Sequence, residues 1–159
     1  MIAVIGIGQS LRGDDAAGLE AVRVWQTKYS SSIDDSSVVV HLAENPGLGL
    51  LNLLGGVDTA ILVDAVQSGA DPGTLHRIDE SAIDTFANGS DSAHGFGVGE
   101  TLVLGRSVDP DSLPEVIVVI GIEVRQTDIG VGLSPAVEAV LTEAAILIEE
   151  EINRIKRLS

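Results

Sequence analysis

The chain has 159 residues, enough for one domain spanning 1–159, and an aromatic share of 3% leaves aliphatic side chains to fill its core. With 24 acidic against 9 basic residues and a formal charge of -15, it repels the phosphate backbones that supply most nucleic-acid affinity, so nucleic acid and anionic membranes are poor partners. The absence of cysteine rules out a disulfide framework, a thiolate metal site and a cysteine nucleophile.

The first predicted element is the apolar run IAVIGI, residues 2–7. It is one of four runs without polar alternation, a pattern that suits strands covered on both faces, as in a parallel sheet. The stretch GIGQSLRGDDAAG (6–18) follows, with the outline of a phosphate-binding turn. Its spacing fails the dinucleotide fingerprint, because after Gly6 and Gly8 the third required position is Leu11 and glycine arrives only at Gly13. A phosphate would also meet Asp14 and Asp15 at the helix start, so no nucleotide is expected.

Gly18, Ala21, Val22, Trp25 and Tyr29 recur at helical spacing, and the Ser- and Asp-rich segment 29–37 reads as a loop. VVVHL (38–42) is the second strand; Glu44 and Asn45 close it, followed by a short helix over 47–54. AILVDAV (60–66) is the third, with Asp64 at its end. GTLHRID (73–79) alternates apolar and polar residues, which suits a sheet edge. A polar loop over 86–97 carries His94 into a helix expected over 95–104. VIVVIGI (116–122) is the last strand, followed by EVRQTD (123–128). Ser134 and Pro135 then open a long amphipathic helix lined by Val137, Val140, Leu141, Ala144, Ile148, Ile152 and Ile155.

Alternating strands and helices predict an α/β fold: a three-layer α/β/α sandwich around a mostly parallel sheet of about five strands. Ligands of such sheets bind beyond the carboxyl ends of the strands. That rule directs Asp14, Asp15, Asp64 and the segment 123–128 to one crevice within reach of the His94 loop. Acidic residues in a first helical turn complement the dipole, which accounts for one of Asp14 and Asp15. Asp64 is harder to explain structurally, since burying an unpaired carboxylate costs on the order of several kcal/mol. Two carboxylates and an imidazole with open positions suit a divalent metal such as nickel, zinc or manganese. His41 and His76 lie in strands and read as structural or surface groups, and Glu44 with Asn45 as either a plain turn or a crevice wall.

The ordered set GIGQSLRGDDAAG, ILVDAVQSG, SAHGFGVGETLVL and GLSPAVEAV resembles the hydrogenase maturation endopeptidases, from Met1 to about Ile148. The resemblance implies a twisted five-stranded sheet between helices. It also implies removal of a C-terminal extension from a nickel-iron hydrogenase large-subunit precursor after nickel insertion. The family's metal-contacting acid, strand-ending aspartate and loop histidine fall on Asp15, Asp64 and His94. The nickel then belongs to the substrate rather than to the protease as a resident cofactor. Asp15 and Asp64 become the candidate catalytic carboxylates, with Asp14 a further candidate to carry protons. The chain departs from the family at Gln9, usually asparagine; at Asp15, glutamate in some members; and at ENPGLG (44–49), where a glycine-glycine-threonine sequence is commoner. The aspartate often found before that sequence has no counterpart at Leu42.

No H-E-x-x-H motif is present, which disfavours a conventional zinc protease. A receiver-like phosphoacceptor domain would share the layout and the acidic residues. It needs a lysine at the end of the last strand, however, and the only lysines are Lys28 and Lys156. A non-enzymatic nickel-binding or scaffold protein on the same fold is the third reading. With neither a signal-peptide pattern at the start nor an apolar stretch of roughly 18 residues, the expectation is a soluble cytoplasmic protein.

Overall fold

The structure, a computed structural model, describes residues 1–83, 97–125, 130 and 132–158. The strands are β1 (Ile2–Gly8), β2 (Val38–Glu44), β3 (Thr59–Val66), β4 (Leu75–Asp79) and β5 (Val116–Glu123). The four apolar runs pair in parallel, and the alternating β4 joins β5 antiparallel at the sheet edge. The order across the sheet is β2-β1-β3-β5-β4. Among the described residues the helices are α1 (Ala17–Lys28), α2 (Ser30–Ile33), α3 (Leu50–Leu54), α4 (Val98–Val108), α5 (Pro135–Glu138) and α6 (Leu141–Leu158).

Successive residues of each strand serve opposite faces, which is why the runs carry no polar alternation. Val4, Ile61, Val63, Ile120 and Ile122 pack with α1 and α6 on one face. Ala3, Ile5, Leu62, Ile117 and Val119 pack with α3 and α4 on the other. Trp25 of α1 is fully buried, and its indole N–H donates to Glu149 Oε2 of α6 at 3.0 Å, tying the two helices together.

Three boundaries differ from the sequence reading. Part of the 29–37 stretch, expected as a loop, forms α2, because Tyr29 and Ile33 are one helical turn apart and both pack against the core. The C-terminal pattern is two helices rather than one. A 3₁₀-type bond from Val140 N–H to Val137 O at 3.1 Å tightens the chain between them. The helix expected over 95–104 runs from Val98 to Val108; Gly95 and Phe96 lie outside the described residues.

Candidate active site

The turn after β1 owes its glycines to close packing of backbone. A Cβ on Gly8 would run into the Asp15 carbonyl oxygen, and one on Gly18 into the carbonyl oxygens of Val63 and Ile7. Glycine therefore lets the chain fold back over β1 and β3, a demand unrelated to phosphate. Gln9 N–H donates to Asp15 O at 3.4 Å and Asp15 N–H to Arg12 O at 3.1 Å, closing the turn. A 3₁₀ turn over Gly13–Ala16 then leads into α1, leaving Asp15 half-buried beyond the carboxyl end of β1.

Asp64 approaches from the neighbouring strand. The chain leaves β1 for β2 on one side and returns to β3 on the other, so the strand order reverses between β1 and β3, where open α/β sheets bind ligands. Pairing of β1 with β3 stops at Gly6 and Val63, whereas β3 stays paired with β5 through Val66 and Glu123. Asp64 is thus the first residue of β3 beyond β1, facing an opened gap, and the strand runs two residues past it instead of ending there. It shares strand parity with Ala60 and Leu62, which places it on the face covered by α3 and α4.

The electrostatics of this gap are unusual. Burial pushes the Asp64 carboxyl up, the nearby charge of Asp15 pushes it further, and the Ala65 N–H only partly offsets them, leaving it at about 8. Asp64 therefore holds its proton near neutrality. Two neighbouring acids in this gap suit a proton or a metal cation.

The structure reassigns some expected site residues. Asp14 was expected in the crevice as a proton carrier; it is instead 8% exposed and its Oδ1 accepts the Ser134 N–H at 2.6 Å. It anchors the start of α5, a structural task. Glu123, expected to face the crevice, is 1% exposed and turns inward to Ser68, Gly69 and His76. His76 is structural, as expected. His94 and residues 126–128 lie outside the described residues. Glu44, left open between turn and wall, is exposed at the end of β2 beside Ser10, whose hydroxyl and N–H donate to it. Those bonds hold its carboxyl below the ordinary range. Ser10 and Ser68 escaped the sequence reading, because a serine in a turn carries no signal of its own.

Among the described residues no group of three or more His, Asp or Glu side chains is set to hold a metal. Of the three residues expected as metal ligands, Asp15 and Asp64 are among the described residues and His94 is not. The lysine that a phosphoacceptor site requires is likewise missing from the crevice. Lys28 ends α1, on the order of 20 Å along the helix from Asp15, and Lys156 pairs with Asp35.

The family model described as hydrogenase maturation protease matches residues 39–151. The chain belongs to the hydrogenase maturation protease family. The hydrogenase expression/formation protein HupD of Thiocapsa roseopersicina is 29% identical over 90% of this chain and 63% of its own length. The chain thus spans just under two thirds of that relative. The hydrogenase 2 maturation protease of Escherichia coli K12 is 26% identical over 98% of this chain and 96% of its own length. Among solved structures, the hydrogenase maturating endopeptidase HybD from E. coli superposes with a TM-score of 0.79 at 23% identity, covering 96% of this chain and 92% of that one. This likeness confirms the five-stranded, mostly parallel sheet between helices as the fold of this maturation protease family member. No described helix is long and apolar enough to cross a membrane.

Proposed function

We propose that the chain is a cytoplasmic endopeptidase that removes the C-terminal extension of a nickel-iron hydrogenase large-subunit precursor once nickel has been inserted. Family membership supports the reaction class. The carrying observation is the Asp15–Asp64 pair at the switch point between β1 and β3, with Asp64 held near 8 by burial and by its acidic neighbour. Two acids set side by side suit a cation, and a nickel arriving with the precursor supplies one.

In this reading Asp15 and Asp64 offer carboxylate oxygens and His94 a ring nitrogen to the nickel carried by the substrate, a donor set that suits the ion. Docking of the loaded precursor sets its scissile peptide beside the pair. Water then adds to the carbonyl, one carboxylate accepting its proton and returning it to the departing amine, as an aspartyl-type hydrolase does. An unloaded precursor brings no cation to displace the proton that Asp64 holds near neutrality, which makes the cut conditional on nickel.

The test incubates the protein with nickel-loaded and nickel-free precursors and follows loss of the extension by mass. Cleavage of the loaded form alone is expected. Failure to cut any loaded precursor, including the one encoded beside this protein, would overturn the reading.

A further inference from the structure

Past Gly6 and Val63, the segment that carries Asp64 loses β1 as a neighbour and keeps β5 as its strand partner. A fixed Asp64 therefore needs an anchor further along the chain.

Glu123 supplies it. The residue pairs with Val66 in the register, two positions beyond the Asp64–Gly121 pair and on the same face. Its carboxylate is 1% exposed, a setting that costs on the order of several kcal/mol unless its lone pairs are occupied. They are occupied by the turn that follows β3. Oε1 accepts the N–H groups of Ser68 at 2.8 Å and Gly69 at 3.0 Å. Oε2 accepts the Ser68 hydroxyl at 2.8 Å and lies 3.0 Å from His76 Nε2. A carboxylate accepts this whole set with charge-assisted bonds, whereas an amide could serve Ser68 Oγ and His76 Nε2 only as a donor. Upstream of the turn, the Asp64 carboxyl is itself oriented by Ala65 N–H at 2.8 Å.

We propose that Glu123 is a positioning residue for Asp64: by clamping the Ser68–Gly69 turn to β5 and β4, it holds the far end of the β3 extension where β1 no longer supports it. The kinetic part of this inference rests on the protease reading above. The turn is a built extension of the site, and Glu123 is consumed in it rather than in contact with substrate.

Glu123→Gln, which preserves shape while removing the charge and one of the two acceptor oxygens, tests the idea alongside the wild type on the nickel-loaded precursor. kcat is expected to fall about 10- to 100-fold with KM within about twofold, as displacement of a reacting group without loss of docking predicts. Amide exchange at Ala65, Ser68 and Gly69 is expected to quicken about tenfold or more while α1 and α6 stay protected. Unchanged exchange at these amides overturns the proposal. So does quickened exchange with wild-type kcat, a rise in KM alone, or a uniform loss of protection across the sheet with full activity per folded molecule. Should the variant not fold, Ser68→Ala removes one of the bonds. It is expected to lower kcat about threefold with faster exchange at Gly69, and normal kcat with that faster exchange overturns the proposal. If the wild type cuts no precursor, the protease reading fails by itself. The Ala65 amide in Glu123→Gln then decides the positioning role, an unaltered rate being the overturning result.

Discussion

Asp64 and Glu151 occupy different regions, one in the gap beyond β1, the other within α6, where it is 3% exposed. Glu151 receives a forked guanidinium from Arg77 at 2.9 and 3.1 Å, and Arg154 adds a further bond at 3.1 Å. Burial pushes its carboxyl up, but the hydrogen bonds from Arg77 and Arg154 outweigh that and hold it below the ordinary range. Asp64 has an acid for its neighbour and one N–H for relief. A carboxylate with its cations built in stabilises the fold, linking β4 to α6. Asp64, with an acid beside it and one backbone N–H bond, is raised instead, the pattern of groups in functional sites.

The largest expected break in this comparison comes from Asp64→Asn. Cleavage of the loaded precursor should fall by about 10³-fold or more, with the circular dichroism spectrum preserved. Full activity would remove Asp64 from the chemistry. Next in size, Glu151→Ala should lose about 2–4 kcal/mol by urea unfolding, because Arg77 and Arg154 are left without their shared partner. Cleavage per folded molecule should not change, and a selective loss of kcat would contradict the structural assignment.

The smallest effect sharpens the contrast by sign. Asp64 has a raised folded-state pKa, so the native state keeps a proton that the unfolded chain releases, and stability falls as pH rises from about 4 to about 8. Asp64→Asn should abolish that slope and gain about 1–2 kcal/mol at pH 8, a figure discounted because the side chain is partly open to water. Glu151 runs the other way. Its contribution is present above its unfolded pKa and is lost as pH falls through its lowered folded value. Glu151→Gln should flatten the acid limb and leave the alkaline one alone, as urea titrations across pH would measure.

Much of the fold was legible because its signals are local. Runs such as VIVVIGI announce strands covered on both faces, and the alternation in LHRID marks the one antiparallel edge. The amphipathic period of 141–155 placed the face of α6 that reaches the sheet. Two side chains of the proposed triad, Asp15 and Asp64, were also readable, as acids at the carboxyl ends of β1 and β3. Asp14 and Asp15 were harder to tell apart. Adjacent in sequence and identical in type, they separate only because one meets the Ser134 N–H, 120 residues away.

Periodicity and composition act over a few residues, so the chain alone dictates its strands, its layers and the acidic character of one end of the sheet. Pairing across long stretches of chain obeys no local rule. The early end of β1–β3 pairing, the repulsion that raises Asp64, and the burial of Glu123 against Ser68 arise only when distant segments meet in a medium that screens charge poorly.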